Sequence, residues 1–262
     1  MDLGLQNRVA LITASSKGLG KATARQLAGE GTKVVICARN QEALSKTRDE
    51  IAASGAAVLA LPIDLTMPDA ARTLVDATLD RFGQLDILIA NAGGPPPGGF
   101  LDLEEKDWDA AIQLTLISFV RLCYAAIPAI CRSDAGSILA FTSVSVKQPL
   151  ANLVLSNSLR LGVTGIVKSL ADELGPDGVR VNAICPGWTR TDRVQHLLAD
   201  RAARNGTSVE QEAASVAKAV PLGRIAIPDE FARAATFLVS PAASYITGVS
   251  LLVDGGMYRG TM

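Results

Sequence analysis

The residues best suited to chemistry lie between Ser143 and Leu174, where an apolar run ends, a Pro-containing loop follows and a long helical pattern begins. Ser156 and Arg160 are four apart in that pattern, so their side chains stack on one helical face. Ser143 adds a hydroxyl at the end of the preceding apolar run. Lys147 is the only ionisable side chain between Ser143 and Arg160. It is expected to border the pocket and to supply a cation or a proton there; a solvated loop lysine is the plain alternative. Hydroxyls beside cations are what a reaction needs when negative charge develops on a substrate oxygen.

These groups need a scaffold, and the chain announces one. Short apolar runs rich in β-branched residues recur at 9–13, 34–37, 57–63, 87–90, 137–142, 179–184 and 249–254, separated by segments of helical period. Runs that are apolar on both faces read as strands buried between helix layers. Strand and helix in alternation predict an α/β fold, a Rossmann-type doubly wound parallel sheet, here as a single domain over 1–262. The glycine- and proline-rich stretch 93–99 follows a strand and is expected to lie at the ligand-binding edge of the sheet.

After the first run comes a turn with Gly18 and Gly20. Both glycines are expected to let the backbone approach a pyrophosphate while the following helix offers N–H donors and a positive dipole end. A tight strand-to-helix turn with no ligand remains the alternative. The second run ends at Cys37-Ala38-Arg39, with no acid to receive a ribose 2′-hydroxyl. Arg39 and Lys17 instead suit a 2′-phosphate, which favours NADP(H) over NAD(H).

Composition narrows the partners. The 262 residues are 48% hydrophobic and 19% charged, with a net charge of −1 and no basic cluster, so neither nucleic acid nor an anionic membrane is expected as a partner. No unbroken apolar run approaches the roughly 18 residues of a membrane helix, and the N-terminal residues lack a secretory pattern. A cytoplasmic protein is expected. The four cysteines are widely spaced and His196 is the single histidine, which argues against disulfides and metal sites alike.

The ordered set of motifs resembles the short-chain dehydrogenase/reductase family over almost the whole chain, close to its 3-oxoacyl-(acyl carrier protein) reductases. The matching pieces are Thr13 to Gly20, Asp64, Asn91-Ala92-Gly93, Ser143, Arg180-Val181-Asn182, Pro186-Gly187 with Thr191, and the ending from Ile246 to Gly256. The resemblance implies a small carbonyl or alcohol substrate, a homotetramer or homodimer, and a substrate lid at 189–220. It also implies that Thr13, Ser16, Lys17, Gly18 and Gly20 form the phosphate turn and that Asp64 and Leu65 meet the adenine. Asn91 and Gly93 would brace the centre of the cofactor, and Pro186, Gly187 and Thr191 its nicotinamide.

The same resemblance exposes departures. Ala14 replaces the first glycine of the turn. The family's proton-transfer group is a serine, a tyrosine, a lysine four residues later, and an asparagine; here those positions hold Ser143, Ser156, Arg160 and Thr115. Serine is shorter than tyrosine and a far weaker acid, while arginine still reaches a ribose but cannot relay a proton. Loss of a placed general acid costs about 10²–10⁴ in rate, so turnover is slowed rather than forbidden. Three expectations follow: a reductase with a non-standard site, a cofactor-binding protein without turnover, or, least favoured, a non-redox reaction on the same scaffold. In the segment 189–220, Arg190, Arg193 and His196 are candidates to meet an anionic or polar substrate.

Overall fold

In the computed structural model, which describes residues 1–261, all seven expected strands form one parallel sheet. They are β1 (Val9–Ile12), β2 (Lys33–Ala38), β3 (Val58–Pro62), β4 (Ile87–Ala90), β5 (Ser137–Phe141), β6 (Arg180–Pro186) and β7 (Ser250–Val253). The order β3-β2-β1-β4-β5-β6-β7 reverses direction between β1 and β4. In an open parallel sheet that switch point opens a crevice beyond the carboxyl ends of the strands.

Strand residues alternate between two cores. Leu11, Val35, Leu88 and Ile138 pack with Leu74 and Val75 of α3 (Ala70–Phe82), Phe119 and Leu122 of α5 (Ser118–Ile130), and Val163 and Val167 of α6 (Val154–Leu174). Ala10, Ile12, Val34 and Ile36 face the other way, against α1 (Gly18–Gly29), α2 (Gln41–Ala52) and α9 (Pro228–Val239). Phe141 and Phe231 seal that second core edge-to-face, with ring centroids 4.8 Å apart.

One helix bears on the membrane expectation. The stretch Glu105–Ile130 forms α4 (Glu105–Ala111), a π-helical turn (Ile112–Ile117) and α5 in unbroken succession, and by length and composition it is apolar enough to cross a membrane. Gln113, Thr115, Ser118 and Arg121 interrupt the stretch, so it holds no unbroken apolar run of membrane length. In the fold the helix lies on the sheet, with Phe119, Leu122 and Ala126 buried in the first core.

The segment after β6 holds α7 (Asp192–Asn205) and α8 (Val209–Ala219), joined at Gly206, whose φ of +65° provides the left-handed turn. Glu212 fastens the pair: it accepts hydrogen bonds from Asn205 and Thr207 and pairs with Arg201 at 2.9 Å. Those three partners, Asn205 first, hold its carboxyl at about 2, so the clasp persists until strongly acidic pH.

Candidate active site

The crevice at the switch point contains a cavity of about 490 Å³. At one end stands the turn between β1 and α1. The α1 helix has no side-chain cap at its N-terminus, and Ser16, Lys17, Gly18 and Leu19 line the cavity there. The first N–H groups of the helix are therefore free for an acceptor, and the dipole favours an anion. A dinucleotide's phosphates fit that donor set.

The two glycines of the turn do different work. Gly18 has φ +58° and borders the cavity, as expected. Gly20 lies behind it: an added Cβ would sit 2.6 Å from the Ala14 carbonyl oxygen and 2.8 Å from Asn91 Nδ2. It serves close packing of helix on turn rather than approach to a ligand. Ala14 adopts φ +46°, the left-handed region where a Cβ is costly.

Thr13 and Asn91 tie β1 to β4 from beneath. The Thr13 hydroxyl donates to the Asn91 carbonyl at 2.6 Å and accepts from the Asn91 amide at 2.9 Å, while Asn91 Nδ2 donates to Ala14 O at 3.1 Å. Thr13 is wholly buried and outside the cavity wall, so its contribution is to shape the turn. Asn91 and Gly93 do line the cavity, as do Arg39, Asp64 and Leu65 at the β2–β3 end. Asp64 is held below the usual carboxylate range by the Thr66 amide, with the Thr66 hydroxyl and Arg39 adding to the effect.

At the far end, α6 delivers two polar side chains in a register fixed by its apolar stripe. Burying Leu155, Leu159, Val163 and Val167 also buries their neighbours Ser156 and Arg160. Arg160 is 9% exposed and donates from Nη1 to Phe141 O at 2.8 Å. Burial, reinforced by the charge of Arg193, pulls its pKa down to about 10, so it remains a cation at neutral pH. Ser143 begins a 3₁₀ turn, where its Oγ accepts from the Ser145 amide at 3.0 Å, and it shares the cavity with Ser156 and Arg160.

Two expected residues lie elsewhere. The 3₁₀ turn Val144–Val146 carries Lys147 outward; it is exposed and is not part of the cavity wall. Thr115 sits in the π-helical turn, 4% exposed, and its hydroxyl has no partner among the described residues. It lines a separate void of about 20 Å³ shared with Asn91 and Arg160, enough for one water. Among the described residues no tyrosine reaches the cavity.

Pro186, Gly187 and Thr191 close the wall from the β6 side. Thr191 also caps α7, its Oγ1 accepting from the Val194 amide at 3.4 Å. Of the three basic residues considered for this segment, Arg190 and His196 are exposed and only Arg193 lines the cavity. Two contacts span the mouth: Lys17 pairs with Asp192 at 3.1 Å, and Arg193 Nη2 donates to Pro95 O at 2.7 Å. Sequence reasoning missed Asp192, Trp188 and Met257 of the wall; only Asp192, following a helix cap opposite Lys17, left a readable signal.

Comparison with known proteins agrees with this architecture. A family model described as enoyl-(acyl carrier protein) reductase matches residues 13–258. The 3-oxoacyl-[acyl-carrier-protein] reductase FabG of Vibrio cholerae is 34% identical over 256 residues, covering 98% of this chain and 99% of that protein. L-sorbose reductase from Gluconobacter frateurii, solved with NADPH and L-sorbose, superposes with a TM-score of 0.94 at 31% identity, covering 99% of this chain and 100% of that one. An actinorhodin polyketide ketoreductase with NADPH gives 0.92 at 30% identity over 96% and 97% of the two chains. Motif order, sheet topology and crevice thus converge: the chain belongs to the short-chain dehydrogenase/reductase family of oxidoreductases.

Proposed function

We propose that this protein is an NADP(H)-dependent reductase of a small carbonyl compound, 3-oxoacyl-like, also able to oxidise the corresponding alcohol, and that it works without the family's tyrosine. The observation that carries this reading is the continuity of one cavity from the uncapped N-terminus of α1 to Ser143, Ser156 and Arg160. Lys17 and Arg39, with no acid at the tip of β2, support the phosphorylated nucleotide. The NADPH bound by the sorbose and actinorhodin reductases accords with it.

When bound, the nicotinamide supplies the hydride. Ser16, Gly18 and the α1 amides hold the pyrophosphate, Arg39 and Lys17 the 2′-phosphate, and Asp64 and Leu65 the adenine. Asn91, Gly93, Pro186, Gly187 and Thr191 orient the nicotinamide end, where Arg160 also reaches the ribose. Ser143 donates a hydrogen bond to the carbonyl oxygen and Ser156 offers a second. Arg160 stabilises charge developing on that oxygen, and the proton arrives from solvent. Thr115 positions a water beside Arg160, and α7 and α8 cover the site as a lid.

A screen of ketones, 3-oxo thioesters and alcohols, followed by NADPH absorbance, tests this reading. Carbonyl-dependent NADPH loss supports it. Nucleotide binding with no turnover across the screen favours the second reading, a cofactor-binding homologue without catalysis, for which Ser156 and Arg160 are the motivating substitutions.

The apolar side chains left exposed support a homotetramer, with a homodimer as its half-assembly. Tyr124 of α5 is 79% exposed and Leu161 of α6 54%, on two helices that the family resemblance implies pair between subunits; Leu251 on the edge strand β7 and Val249 just before it are exposed as well. Sedimentation velocity is expected to return four times the chain mass, and a monomer at micromolar concentration counts against assembly. The four cysteines are free thiols, in keeping with a reducing, cytoplasmic setting.

A further inference from the structure

The charged residues of the cavity wall do not balance. They are Lys17, Arg39, Arg160 and Arg193 against Asp64 and Asp192. Lys17 takes Asp192 at 3.1 Å, and Arg39 stands 4.0 Å from Asp64. Arg160 and Arg193 are left over. Among the described residues neither forms an ion pair, and each donates to a single backbone carbonyl, Phe141 O and Pro95 O respectively. Asp200, about two turns further along α7, acts on Arg193 through space but outside ion-pair distance.

A guanidinium carries five N–H donors in a planar fork, so beyond these carbonyls, and beyond the ribose and oxyanion contacts proposed above for Arg160, both residues keep donors for an anion. Burying a charge without a partner is unfavourable, and Arg160 also feels the like charge of Arg193 on the same cavity wall. An anion between them would relieve both penalties at once.

The dinucleotide's phosphates belong elsewhere. They fit the α1 terminus and Arg39, at the ends of β1 and β2. Arg160 is anchored to the last residue of β5 beside Ser143, and Arg193 lies over Gly94 and Pro95, just past β4. The surplus charge therefore stands on the substrate side of the switch point.

We propose that Arg160 and Arg193 form a carboxylate site, and that the substrate is a small oxo acid whose carbonyl lies against Ser143 and Ser156. This rests on the reductase reading above and names its substrate class. One arginine is fixed on α6 and the other rides on the first turn of α7, so a bound carboxylate bridges the sheet to the lid. Arg193 then exchanges its contact with Pro95 O for the substrate, and closure depends on the anion.

Thermal-shift and calorimetric titrations of NADPH-loaded and nucleotide-free protein test this. The probes are pyruvate, 2-oxobutyrate, acetoacetate and levulinate beside their methyl esters at matched ionic strength. At least one acid is expected to bind roughly tenfold or more tightly than its ester, as a charge-assisted fork allows. Arg193→Met keeps the aliphatic contact over Gly94 and is expected to erase that preference; Arg160→Met is expected to do the same. Equal binding of acids and esters across the set would overturn the proposal, as would a preference that survives in Arg193→Met. Reduction of the esters with no preference for the acids sinks the carboxylate site and leaves the reductase reading standing. If NADPH fails to bind, the nucleotide-free titration still reads the anion preference.

Discussion

Ser143 is held by its own backbone: the 3₁₀ turn that uses its Oγ to receive the Ser145 amide aims the hydroxyl into the cavity that Ser156 and Arg160 enter from α6. With no tyrosine among the described residues of the cavity wall, its hydroxyl is the donor placed for the developing oxyanion. Ser143→Ala is expected to lower kcat about 10²- to 10³-fold, the usual effect of removing such a donor, while Lys147→Met leaves kcat unchanged. A large loss in Lys147→Met, measured by NADPH oxidation, would contradict this assignment. The sequence located Ser143, Ser156 and Arg160 because a strand end and a helical period fix where side chains fall. For Lys147 it left two readings open, and exposure after the 3₁₀ turn, outside the cavity wall, fits the solvated loop lysine.

At the scale of elements, the turn between β1 and α1 is the place where a local rule is broken. Ala14 occupies φ +46°, which costs an L-residue about 1–2 kcal/mol. Ala14→Gly is expected to raise unfolding stability by about 1 kcal/mol, after the extra chain entropy of glycine is deducted, and to leave nucleotide affinity equal or tighter. Denaturant unfolding of the two proteins reads the difference; a destabilised glycine variant would show that the methyl group packs favourably. The departure at Ala14 was legible, since glycine spacing marks such turns, but the packing role of Gly20 was not. That depends on the Ala14 carbonyl oxygen, 2.6 Å from the added Cβ, and on Asn91, which the tertiary fold brings to 2.8 Å. The π-helical turn around Thr115 was equally hidden, because one extra residue in a helical turn leaves the apolar period nearly unchanged.

For the molecule as a whole, the doubly wound parallel sheet and its ligand-binding edge were legible from seven apolar runs alternating with helical segments, since parallel strands leave few ways to connect. The continuity of helix from Glu105 to Ile130 through a π-helical turn was not, because polar residues interrupt its apolar pattern. Nor was the charge balance of the cavity, which rests on pairings between distant residues such as Lys17 with Asp192. The central claim is that this cavity is an NADP(H) site read by Arg39 and Lys17. Calorimetric titration of the wild type and Arg39→Ala with NADPH and NADH tests it most directly. NADPH is expected to bind at least about tenfold tighter than NADH, as one charge-assisted phosphate contact provides, with the difference collapsing in Arg39→Ala. Binding of neither nucleotide, or tighter binding of NADH by the wild type, would contradict it.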